Sequence, residues 1–228
     1  MKTDTNTSHQ RPTVRMIAGT ALAGAILLGT VGGAAGASTT VARKGIEARR
    51  TQCITEIDRR VTALGAVQAR IDAMKRLSAE EKATQDANIG AVVTTLNTVN
   101  RPAVVSAATT ATLAQACAGI YADVRVFAVV LPQIIDTVKI EAMQTFSDRL
   151  TEKSAAKAAD GKDTSAPDAL IAAANTSLTS LTAKVSAVTV AGFNADPAGT
   201  KATWDAIFAE MWTDFGNLIT ASNQIAAL

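Results

Sequence analysis

Apolar residues recur every three or four positions through most of this chain, and no stretch convincingly shows the period of two expected of a half-buried strand. The pattern predicts five helical segments. The first runs from about Val41 to Leu77, with Ile46, Cys53, Ile57, Val61, Leu64, Val67, Ile71 and Met74 on one stripe. Arg49, Glu56, Arg59, Arg60, Arg70 and Lys75 fall on the opposite face. At ~1.5 Å rise per residue this helix is about 55 Å long.

Ser78-Ala79-Glu80-Glu81 reads as a capping box that opens a second helix. Its stripe continues through Ile89, Val92 or Val93, Leu96 and Val99, and the short turn predicts an antiparallel hairpin. Asn100-Arg101-Pro102 should end that helix or bend it sharply. A third helix begins between Pro102 and Thr112, where Thr112-Leu113-Ala114-Gln115 is a second candidate capping box. Its core side is read as Leu113, Ile120, Val124, Phe127, Leu131, Ile134 or Ile135, and Val138, with Pro132 expected to kink or divide it. Residues 154–168 read as a fraying helix end and then a linker, with the break at Asp160-Gly161.

The fourth helix, about Pro167 to Val190, carries Ile171, Ala174, Leu178, Leu181, Val185 and Val188. The fifth, from about Thr200, carries Trp204, Phe208, Met211, Phe215, Leu218, Ser222 and Ile225, alternately four and three apart. The expected fold class is all-α: an elongated antiparallel bundle of coiled-coil-like hairpins. The expected division is a leader over residues 1–37, a three-helix unit over 38–159, a linker over 160–168 and a C-terminal hairpin over 169–228.

The leader is read from Lys2, Arg11 and Arg15, an apolar run from Met16 to Val31, and Ala35-Gly36-Ala37 before Ser38. It predicts export, to the cell envelope or the extracellular medium. Arg43, Lys44, Arg49 and Arg50 follow closely, and positive charge there favours the alternative of an uncleaved anchor at residues 16–37. No second apolar run approaches the ~20 residues of a membrane span, since Val124–Ile135 is short and broken by Pro132. The formal net charge of +2 falls to neutrality when Lys2, Arg11, Arg15 and Asp4 leave with the leader. Such a balance disfavours nucleic acid as a partner.

Two cysteines in an exported chain suggest one disulfide, Cys53–Cys117. The first helix rises about 36 Å from Cys53 to Leu77 and the second returns about 30 Å by Val99, so the third begins near the level of Cys53. Both thiols sit on apolar stripes and should face one core.

The only histidine, His9, belongs to the leader. A mature chain without histidine has no Ser-His-Asp or Cys-His arrangement, and it lacks the Cys and His clusters of a zinc site. Glu210 and Asp214, four apart near Trp204 and Trp212, are the only carboxylate pair with a catalytic look, and the simpler reading is a solvated helix face. Asp160, Asp163 and Asp168 lack the ligand spacing of a calcium loop and read as linker. No cofactor or metal is expected. Candidate interaction residues are the basic Arg43, Lys44, Arg49 and Arg50, facing a protein or an anionic envelope surface, and Trp212, which falls off the main seam.

Cys53, Arg59, Leu64, Ile71 and Leu77-Ser78, together with the run from Tyr121 to Pro132, resemble a group of uncharacterised exported helical proteins of bacteria, over residues 43–150. The resemblance implies the compartment and an all-helical fold and carries no activity. Tyr121, Asp123 and Arg125 within that run are read as polar pairing along a packed helix. The leading functional expectation is a non-enzymatic scaffold, spacer or assembly component acting through helix contacts, with oligomers allowed. The alternative is a carrier or holdase for apolar ligands or unfolded chains.

Overall fold

The structure, a computed structural model, describes residues 35–228, with side chains from Arg43 onward. Residues 1–34 of the expected leader lie outside the described residues. The fold is all-α: every regular element among the described residues is helical.

Helix α1 (Ala35–Ala73) presents the expected stripe as far as Ile71, with Ile57, Leu64 and Ile71 almost fully buried, while Met74 falls beyond the helix and is exposed. It ends four residues earlier than its periodicity suggests, because the turn before Ser78 uses up Met74–Leu77. Helix α2 (Ala79–Thr95) opens on the capping box as expected: the Glu81 amide donates to Ser78 Oγ at 3.1 Å, and the Ser78 amide donates to Glu81 Oε2 at 2.6 Å. It packs back along α1.

Pro102 does not end the helical path. A π-helical turn at Leu96–Asn100 runs directly into α3 (Arg101–Ser106), with Pro102 in the first turn, where its missing N–H costs least. The wider turn rotates the following residues, so Leu96 and Asn100 are buried while Val99, expected in the stripe, is exposed. The chain then enters α4 (Thr110–Ala122). Its capping box is Thr109 with Thr112, not Thr112 with Gln115: the Thr112 amide donates to Thr109 Oγ1 at 3.1 Å, and the Thr109 amide donates to Thr112 Oγ1 at 3.1 Å.

The expected third helix is divided ahead of Pro132. Arg125 leaves helical geometry (φ −74°, ψ 62°), a second π turn spans Val126–Val130, and α5 (Leu131–Ala159) follows with Pro132 in its first turn. The break puts Val126 into the core and leaves Phe127 half exposed, the reverse of the periodic reading. Taken together across these breaks, Thr110–Ala159 is by length and composition apolar enough to cross a membrane, with a mean hydropathy of 1.5 in its best window, a test that the core helices of a folded bundle also pass. Leu113, Ile120, Val124, Val126, Leu131 and Ile134 from that stretch face a core.

Helix α5 is continuous through Ala159, so residues 154–159 are helix rather than a frayed end. Gly161 (φ 78°) stops it in a Schellman motif: the Gly161 amide donates to the Ala158 carbonyl at 2.9 Å and the Lys162 amide to the Lys157 carbonyl at 3.1 Å. Asp163 Oδ1 accepts from the Ser165 amide at 3.0 Å, and Asp168 accepts from Ser154 Oγ at 2.5 Å and Thr164 Oγ1 at 2.8 Å, so the acidic cluster caps and staples the turn. Helix α6 (Ser165–Ala187), a short α7 (Val190–Ala195) and α8 (Pro197–Ala227) complete the chain.

The core is in two parts. The first joins α1–α4 to the start of α5 through residues such as Ile57, Leu64, Leu96, Leu113, Ile120 and Ile134. Cys53 and Cys117 are disulfide-bonded within it, with Cα atoms 5.7 Å apart. The second gathers Ile140, Met143 and Leu150 of α5 with Leu178 and Leu181 of α6 and Met211 and Leu218 of α8. The C-terminal part is therefore not a separate hairpin over residues 169–228. It is a three-helix bundle in which α5 serves both cores. On α5 the buried positions 140, 143, 147, 150 and 154 step by three and four, but Ser147 and Ser154 occupy two of them. Those hydroxyls hid the seam from a hydrophobicity pattern. Ser147 donates instead to Asn175 Oδ1 at 2.6 Å across to α6.

Candidate functional site

The seam of α8 decides which of its aromatic side chains stay exposed. Its buried positions are Ile207, Met211, Asp214, Leu218, Ala221 and Ile225, stepping four, three, four, three, four. The sequence stripe shares Met211, Leu218 and Ile225 with this seam. Of its other members, Trp204 packs partly buried against the core, and Phe208, Phe215 and Ser222 each lie one residue past the true position. Burying Asp214 and Ala221 turns Phe208 and Phe215 out to the flank, beside Trp212.

These three aromatic rings form an edge-to-face ladder. Phe208 and Trp212 have centroids 6.0 Å apart at 84°, and Trp212 and Phe215 are 6.1 Å apart at 79°. Trp212 is 58% exposed, as its position off the seam suggested, and Phe208 is 51% exposed. They form one wall of a groove of about 280 Å³ between α5 and α8. Met143 and Met211 line it as well, with Phe146 on the α5 side. Its charged members are Arg76, from the turn between α1 and α2, and Lys139 of α5. Lys139 Nζ lies 2.8 Å from Asp136 Oδ1 and 5.7 Å from the Phe208 centroid. The arrangement is a mostly apolar trough with cations at its margin, suited to hold an apolar body.

No protein-family model matches the chain, and no match is found among curated proteins or solved structures. The site is therefore read from its own chemistry.

Behind the groove, Glu210 and Asp214 are not a solvated face. Asp214 is buried with Oδ2 unpartnered, and Glu210 accepts from Lys184 Nζ at 2.5 Å and Ser177 Oγ at 3.2 Å. Burial raises the Asp214 pKa above the ordinary carboxylate range, with Glu210 adding to the rise; the nearby Ser177 hydroxyl and Lys184 pull the other way. Glu210 thus ties α8 to α6 on the side where the two helices pack.

The basic residues singled out on α1 do not form one patch. Arg43, Lys44 and Arg49 are exposed, and Arg49 lines a shallow hollow beside the disulfide. Arg50 is instead committed to structure: Nε donates to the Val104 carbonyl at 3.3 Å and Nη2 to the Ala107 carbonyl at 2.7 Å, closing the end of α3. Arg60, read as a solvated cation, is only 4% exposed. It is held by Glu56 and packed over the Tyr121 ring at 4.6 Å. Burial is the first cause of its lowered pKa.

Tyr121, Asp123 and Arg125 work separately at the break before α5. Tyr121 covers Arg60, Asp123 Oδ2 accepts from Asn100 Nδ2 at 3.2 Å, and Arg125 Nε donates to Asn194 Oδ1 at 2.6 Å. None of them enters the groove. Of the sequence candidates Trp212 does, joined by Phe208 and Phe215 of the α8 aromatic stripe. Arg76, Lys139, Met143 and Phe146 had no signal in the sequence that would have grouped them.

Proposed function

We propose that this protein acts by contact rather than by turnover, as an extracytoplasmic helical binding protein whose contact surface is the groove between α5 and α8. The reading rests on one observation: three aromatic side chains stacked edge to face, each more than two-fifths exposed, line the same trough as two cations. Exposed aromatic clusters of this kind mark binding surfaces, because water gains little from wetting them and a ligand gains much from covering them. The Cys53–Cys117 disulfide supports an oxidising compartment. Between the two expectations, scaffold and carrier, the groove favours the carrier. A scaffold would be served by a flat helix face, whereas this surface is concave and open at the top.

The test is titration of the folded protein with an uncharged solvatochromic dye. Saturable binding is expected, weakened about ten-fold or more in a Phe208→Ala/Trp212→Ala variant that melts like the parent. Absent binding, or binding indifferent to the two substitutions, would refute the reading.

A further inference from the structure

Resting on that reading, we infer that the occupant of the α5–α8 groove is a single-chain anionic amphiphile, an alkyl carboxylate or a close relative. Three features of the trough select it. The first is charge. Arg76 and Lys139 are the ionisable side chains lining the groove, and no carboxylate is among its lining residues. Asp136 takes one side of the Lys139 ammonium, while no described carboxylate lies within ion-pair distance of Arg76. An anionic headgroup at this margin would find one guanidinium unopposed and one ammonium with donors to spare, whereas a cationic headgroup would meet repulsion.

The second feature is size. A volume of about 280 Å³ lies at the small end of ligand pockets and suits one flexible chain rather than a folded partner. The third is the material of the walls. Met143 and Met211 are unbranched, polarisable side chains that adapt to a smooth alkyl chain, and the phenyl and indole rings of α8 offer it an apolar wall. Lys139 and Phe146 are two helical turns apart, about 10 Å, so a chain anchored at the Lys139 end can lie along the trough with its head still in water.

The experiment is calorimetric titration of the folded protein with decanoate, decanol and decyltrimethylammonium, each below its micellar concentration, alongside co-sedimentation with anionic phospholipid vesicles. Decanoate is expected to bind about five-fold more tightly than decanol, with the ammonium compound weakest. Arg76→Gln/Lys139→Gln should erase the difference between decanoate and decanol while leaving decanol binding unchanged. Arg76→Gln alone, which leaves the Lys139–Asp136 pair intact, should remove part of it, and serves if the double variant folds poorly. Equal binding of the three compounds would overturn the inference and leave the apolar groove standing. No binding of any of them, together with no dye binding, would overturn both. Sedimentation with vesicles without binding of monomeric decanoate would replace the free amphiphile by a membrane surface.

Discussion

The Trp204 indole N–H donates to the backbone carbonyl of Ala128 at 3.1 Å. That carbonyl lies four residues before Pro132, and in a regular helix it would accept from the N–H that proline lacks. A side chain of α8 thus bonds the main chain of the π turn that leads into α5. Trp204 also packs against the second core, so one residue both locks the proline turn and docks α8 on it.

This relationship predicts a coupled pair of effects. Trp204→Phe removes the donor and leaves a partly buried carbonyl unpaired, at a cost of about 1–3 kcal/mol. Pro132→Ala restores a backbone N–H to the turn. In a double-mutant cycle followed by urea unfolding, the cost of Trp204→Phe should shrink in the Pro132→Ala background. Strict additivity would show that the indole bond and the proline are independent.

Removing the Cys53–Cys117 bridge should matter more than most single changes. It closes a loop with a sequence separation of 64 residues. The loop-entropy relation gives about 4 kcal/mol for a closure of that length. The Cys53→Ser/Cys117→Ser variant should unfold at a correspondingly lower urea concentration with its helical circular dichroism retained in native buffer. A loss under about 1 kcal/mol would mean that the reduced chain already holds α1 against α4.

Stability should rise on mild acidification. Burial raises the pKa of Asp214, and burial together with Glu81 raises that of Glu141, against the hydrogen bond from Gln85. A carboxyl whose folded pKa lies above its unfolded value binds more protons in the folded state, so its ionisation opposes folding at neutral pH. That penalty is relieved as pH falls through the raised values toward the ordinary carboxylate range near ~4. Thermal melts of the parent should shift upward over that window, and an Asp214→Asn/Glu141→Gln variant should be more stable at pH 7 and flatter with pH. A parent that loses stability from pH 7 to 5 while the variant does the same would contradict this.

Much of the fold was legible in the sequence. The 3.6 period, the Ser78 capping box and the break at Asp160-Gly161 are local, set by hydrogen bonds and side-chain spacing within a few residues. So is the α6 stripe, where every member from Ile171 to Val188 is buried. The cysteine pairing was also within reach, because helix lengths alone bring positions 53 and 117 level.

What only the tertiary structure decided is which side of each helix faces inward where two stripes compete. On α8 the sequence offers Phe208 and Phe215, yet Asp214 and Ala221 take the seam, because α6 and α5 pack on that side and α6 holds the neighbouring Glu210 through Ser177 and Lys184. On α1 the period places Arg60 with the solvated cations, yet Tyr121 and Phe127 cover it from the break before α5. Hydrophobicity is a property of one residue, but burial is a property of its neighbours. The groove exists because those two measures disagree at Phe208, Trp212 and Phe215.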